Sequence, residues 1–251
     1  STESDYESKV VSINTTFNSE DKNTTFLAGM AVANDRINPS NKVVINEHKQ
    51  VRDLIIGVTQ VVTQRDIVQA NLTDTRGKGY YSDPYKFFDN RPRVKSANAF
   101  LTRWNHYFDS TDGTSRMSYR YYRDSYGVKS HTATGEYVQP LSNGWTITPH
   151  TRLYTQSAAF FYFDPVNPPD PTIPDNFVLG ETFLTLDQRL SSYGGIALGF
   201  KVSKQITKDF AADFKYENYQ QRSKWALNDN GSPGIDPFKA KILQVGFSYT
   251  F

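Results

Sequence analysis

Residues Leu243 to Phe251 read LQVGFSYTF, with an apolar side chain at every second position. Leu243, Val245, Phe247, Tyr249 and Phe251 alternate with Gln244, Gly246, Ser248 and Thr250. A period of two is the period of a β-strand, so one face of this stretch is apolar and the other is small or polar. The pattern runs to an aromatic residue with no polar tail behind it. Water on that face would leave the ring with nothing to cover it, whereas hydrocarbon would cover the whole row.

The same alternation recurs upstream. It predicts strands over Tyr6–Phe17, Thr24–Asp35, Val51–Val62, Ile67–Asp74, Ala97–Phe108, Ser115–Asp124, Val128–Gln139, Trp145–Gln156, Tyr193–Ser203 and Phe210–Gln221, and Leu243–Phe251 completes the set. Segments of about ten residues suit a tilted strand crossing a bilayer, for which ~9–11 are needed. The connections are sorted by length. Those at Ser19, Gln64, Asp112, Asn143 and Lys208 are short, and those near Ser40, Tyr85, Pro168 and Ser232 are long. Only Ser125-Tyr126-Gly127 is short on the long-loop side. Outer-membrane barrels separate short periplasmic turns from long outer loops in this way.

Composition agrees with this reading. Among 251 residues there are Lys+Arg 28 and Asp+Glu 26, a balance that argues against a nucleic-acid partner. Mean hydropathy is −0.59. No apolar run reaches the roughly 18 residues of a membrane-spanning helix, yet only alternate residues of a barrel strand face lipid. Aromatic residues make up 14% of the chain, and Tyr and Trp favour the boundary between lipid and water. Cysteine is absent, which excludes disulfides and thiolate metal sites.

The polar set of positions predicts what lines the interior. Arg103, Arg116, Arg120, Glu136, His150, Arg152, Lys201, Asp213, Lys215 and Glu217 fall on it. Two arrangements are open to them: the wall of a solute pathway, or an ion-paired plug that fills a narrow barrel. Arg116, Arg120 and Arg152 on neighbouring strands would favour anions. The loop GYYSDPYK supplies Tyr80, Tyr81, Asp83 and Tyr85 as candidates for a constriction, a ligand contact or plain packing. Asp164, Asp170 and Asp175 lack the spacing of a calcium loop. His106, His131 and His150 belong to no Gly-x-Ser-x-Gly, His-x-Glu or His-x-x-x-His pattern, so no catalytic residue, metal site or cofactor is assigned.

Four blocks carry a resemblance: LIIGVTQVV (Leu54–Val62), GYYSDPYK (Gly79–Lys86), SYRYYRDSYGVKSHT (Ser118–Thr132) and PHTRLYTQSAAFFY (Pro149–Tyr162). Together they resemble a bacterial domain-of-unknown-function family whose members are predicted outer-membrane barrels, and this chain is similar to its C-terminal portion. The resemblance implies further N-terminal strands. It also implies genomic neighbours of flavin-transferase and thioredoxin-like type, a hint of envelope redox chemistry, but no agreed activity.

The expectation is therefore one all-β domain over residues 1–251, an antiparallel transmembrane β-barrel with about eleven strands here and twelve or more in the full protein. It would be a porin-like channel or transport component of a Gram-negative outer membrane and no enzyme. Its partners would be outer-membrane lipids, the barrel-assembly machinery through the C-terminal strand, and an envelope protein. The alternative is a scaffold barrel that docks a periplasmic or extracellular, redox- or flavin-linked partner.

Overall fold

The computed structural model describes residues 5–86, 88–164, 178, 180–227 and 230–250. Phe251, Asp170 and Asp175 lie outside them. Eleven strands form one sheet in chain order, each antiparallel to its neighbours. They are β1 (Tyr6–Asn18), β2 (Thr24–Ile37), β3 (Glu47–Val61), β4 (Asp66–Gly79), β5 (Val94–Phe108) and β6 (Gly113–Asp124), then β7 (Lys129–Pro140), β8 (Trp145–Gln156), β9 (Tyr193–Gln205), β10 (Phe210–Arg222) and β11 (Phe238–Tyr249). Among the described residues no helix is long and apolar enough to cross a membrane. This is the antiparallel barrel sheet that the alternation predicts, and every expected strand is present.

The turns follow from local chemistry. Lys22, Asp112 and Asn143 take φ of 57°, 52° and 57° in three of the short connections. Asn and Asp tolerate this left-handed region better than most residues, because their short side chains bond to nearby backbone. Several strands are longer than the sequence pattern predicts, and the three largest extensions are in β3, which begins at Glu47, β4, which continues to Gly79, and β11, which begins at Phe238. All three extensions lie at the long-loop end. There the outward positions carry Arg52, Arg76, Lys78, Lys239 and Lys241, so the alternation of apolar and polar residues ends although the ladder continues.

Register shows how strongly the strands tilt. Following direct partners across the sheet gives Phe17, Phe26, Val58, Ala70, Thr102 and Tyr119, then Ala133, Leu153, Ile196, Gln220 and Lys239. This row starts at the turn end of β1 and finishes at the loop end of β11. Such stagger is the shear of a barrel sheet. Antiparallel closure takes an even number of strands, so β1 and β11, which run the same way, do not pair.

One face of the sheet is apolar. Leu198, Phe214, Met117 and Phe247 lie on it and are exposed, and so are Ile13, Leu54, Ile56 and Val245. The buried apolar cluster lies elsewhere, beyond the strand ends, where Tyr126, Val128, Ala159 and Phe161 pack with Tyr122, Tyr162 and Leu190. A sheet that turns its greasy face outward needs no sandwich core, and only the loop layer has one.

Leu198→Arg, at the middle of the apolar face, is expected to lower stability in a bilayer by about 2–4 kcal/mol. Refolding into lipid vesicles under urea titration checks this. An unchanged midpoint would mean that Leu198 does not face lipid.

Candidate functional site

The opposite, concave face gathers the polar positions. A cavity of about 1270 Å³ is lined by Arg103 on β5, Arg116 on β6, Glu136 on β7, His150 and Arg152 on β8, Lys201 on β9, and Asp213, Lys215 and Glu217 on β10. Arg120, the remaining interior candidate, lies on the same face beside a smaller cavity with Asn71, Thr73 and Tyr122. The structure thus places every interior candidate on one face, and all but Arg120 around one space.

Pairing inside this space is incomplete. Arg116 meets Glu136 across the β6–β7 ladder at 3.1 Å. Glu217 receives Lys215 at 3.2 Å and His150 at 3.0 Å. Gly199 makes room for that histidine, since a Cβ there would lie 2.7 Å from His150 Nε2 and 2.3 Å from the Tyr216 carbonyl oxygen. Arg103 donates only to the Gln69 amide oxygen, at 3.3 Å. The guanidiniums of Arg120 and Arg152 lie over the rings of Tyr122 and Tyr154, 5.2 Å and 6.0 Å from the centroids. Lys201 stands directly opposite Lys215. Among the described residues the cavity wall therefore carries more positive charge than its carboxylates neutralise.

The long loops form a second layer beyond the strand ends opposite the short turns. Asn41 Nδ2 donates to the Pro84 carbonyl at 2.7 Å, and Tyr85 donates from its hydroxyl to Asp5 at 2.7 Å. The backbones of Asn90 and Leu184 exchange hydrogen bonds of 2.8 and 2.9 Å. Ser232 N donates to the Ser192 carbonyl at 2.9 Å. Of the loop candidates, Asp83 accepts from Arg189 at 2.9 Å, Tyr80 lies beneath Arg93, 5.7 Å from ring centroid to guanidinium, and Tyr81 packs edge-on against Tyr126. The GYYSDPYK loop is thus packed into its neighbours. Asp164 accepts from Gly234 N at 3.0 Å, an ordinary loop contact.

At the centre of this layer is a charged clasp that the sequence reading missed. Arg91 bonds Asp89 through two nitrogens, at 2.8 and 2.6 Å, and reaches Asp187 at 2.8 Å. Arg189 grips the same Asp187 carboxylate, with Nε 2.8 Å from Oδ2. The Asp89 and Asp187 side chains are 0% and 1% exposed. Burial opposes charge on Asp187, yet the hydrogen bonds and charges of Arg189 and Arg91 hold its carboxyl at about 2. A signal was available: Asp89-x-Arg91 and Asp187-x-Arg189 repeat one motif in two loops.

The histidines do not meet. His106 contacts Asp66 at 2.7 Å, and His131 contacts Tyr119 at 2.6 Å, both on the apolar side of the sheet. His150 alone faces the cavity. Among the described residues no group of three His, Asp or Glu is placed to hold a metal ion.

A family model described as "Protein of unknown function (DUF3570)" matches residues 1–249. The chain belongs to this family. Among solved structures, CdiB from Acinetobacter baumannii is similar to this member of the DUF3570 family, with a TM-score of 0.54 and 13% sequence identity. The match covers 98% of this chain and 45% of CdiB, so the chain spans less than half the length of that protein. At this identity the likeness concerns the fold alone. No curated protein matches the DUF3570 chain in sequence.

The clasp yields a pH dependence. Asp187 ionises more readily folded than unfolded, so its contribution is complete above the ordinary Asp value of ~3.9 and is lost as pH falls toward about 2. Proteolysis between Val178 and Leu190 is expected to stay slow at pH 5 and to quicken below about pH 4, with acid-stable proteases as probes. Asp187→Asn should open the loops at neutral pH, because removing one partner of a buried pair costs about 3–5 kcal/mol. Equal cleavage rates in the variant and the wild type would refute the clasp.

Proposed function

We propose that this protein is an outer-membrane β-barrel that passes small solutes through its interior and favours anions. The observation that carries the reading is the cavity wall on which Arg103, Arg152 and Lys201 have no carboxylate partner among the described residues. A charge left over beside a wet lumen attracts the opposite ion and raises its local concentration. Two further features support the membrane setting: an apolar face too exposed for water and a separation of short turns from long loops. The likeness to CdiB bears on the fold alone and names no solute.

A second reading has one observation in its favour. The long loops are stitched to one another, as suits a scaffold barrel that presents a firm surface to an envelope partner.

Conductance in planar bilayers under a KCl gradient separates the two. The expected result is an open channel with anion selectivity, and a shift toward cation selectivity in Lys201→Glu with Lys215→Glu. A folded, inserted protein that never conducts would favour the scaffold. A channel whose selectivity ignores both substitutions would refute the anion pathway.

A further inference from the structure

The outward face changes character along several of the strands. From the turn end it is apolar for several positions: Phe26, Ala28, Met30 and Val32 on β2, and Tyr249, Phe247, Val245 and Leu243 on β11. One step further, about 7 Å along a strand, cations take over on β3, β6 and β11, whereas β2 and β4 pass through Asn34 and Asp74 before reaching Arg36 and Arg76. Arg52 follows Leu54, Arg123 follows Tyr121, and Lys241 and Lys239 follow Leu243.

Two of these cations face another cation. Arg52 is the direct partner of Arg76 across β3–β4, and Arg123 is the direct partner of Lys129 across β6–β7. All four are exposed. Like charges directly opposite each other destabilise a ladder. Asp74 offsets only Arg76, at 3.0 Å. No carboxylate pairs with Arg52, Arg123, Lys129, Lys239 or Lys241 among the described residues. The opposite rim differs, since Asp21, Asp66, Asp109, Asp112 and Asp209 lie at the turn end. The positive excess is confined to one edge of the apolar band.

We propose that this basic collar binds phosphate-bearing headgroups of anionic lipids in the leaflet on the long-loop side. The inference rests on the membrane reading above. The collar sits where headgroups meet hydrocarbon. Guanidinium forks match phosphate oxygens bidentately, and one phosphate between Arg52 and Arg76, or between Arg123 and Lys129, turns a repulsive pair into a bridged one. A soluble anion would have no reason to select cations that border an apolar band, so the lipid is the occupant.

The test uses the full chain in maltoside micelles, with lipid A, phosphatidylcholine or inorganic phosphate added and unfolding temperature as readout. Lipid A is expected to raise the midpoint of the wild type, while the other two leave it unchanged. The Arg52→Gln, Arg76→Gln, Arg123→Gln, Lys129→Gln variant should lose that shift, and Arg65→Gln with Lys208→Gln at the turn rim should keep it. If the fourfold variant does not fold, Lys239→Gln with Lys241→Gln takes its place and should show a smaller lipid A shift than the wild type. No lipid A shift in the wild type, or an undiminished shift in the collar variant, overturns the proposal. An equal response to inorganic phosphate also overturns it, in favour of a plain anion site. Flotation with vesicles keeps the two readings apart: a chain that does not insert sinks the membrane reading and the collar together, whereas an inserting chain with no lipid A preference sinks the collar alone.

Discussion

Hydrocarbon offers no partner to a peptide N–H or C=O, and each group left unpaired there costs several kcal/mol. On the membrane reading proposed above, the rest of this structure follows from that constraint. Every strand from β2 to β10 is paired on both sides. The strands stagger as a barrel requires, and the connections that reverse the chain fall beyond the ends of the ladders. The two edge strands are the exception, and they are exposed along nearly their whole length on both faces.

Once lipid claims the outward row, polar residues have two places left: the interior and the strand ends. Both are used here. The interior receives Arg103, Arg116, Arg152, Lys201 and Lys215 with too few carboxylates to match, and the strand ends receive Arg52, Arg123 and Lys129. The small residues of the inner face serve the same division. Gly199 leaves room for the His150 ring that reaches Glu217. A side chain there would crowd both that ring and the Tyr216 carbonyl.

How much of this was legible in the sequence follows from the same physics. Where lipid and lumen face each other across a strand, the contrast of side chains is sharp, and all the interior candidates could be read from parity alone. Beyond the apolar band both faces are wet, so Arg76, Lys78 and Lys241 sit on regular strand with no alternation to announce it. The clasp was hidden for another reason. Arg91 and Asp187 are 96 residues apart, and Asp83 and Arg189 are 106 apart. Nothing in a periodicity marks a contact between two irregular loops. Only the repeated Asp-x-Arg spelling hints that these loops are related.

The sheet and the loop layer are consequently held by different forces. The sheet depends on ladder hydrogen bonds in a medium that offers no alternative partner, and salt does not reach them. The loop layer depends on a small apolar cluster around Tyr126 and Phe161 and on charges in a half-dry setting at its surface. Protonation weakens those charges, and so does ionic strength at the more exposed Arg189, whose side chain is 65% exposed against 13% for Arg91. The loop layer can therefore loosen without disturbing the ladders beneath it. Tyr126 joins the two layers: its hydroxyl donates to the Pro92 carbonyl at 2.7 Å, and its backbone carbonyl accepts from Phe160 N at 2.8 Å. It sits in the one tight connection on the long-loop side, between β6 and β7. The longer loops on either side pack against that connection through Pro92, Phe160 and Phe161.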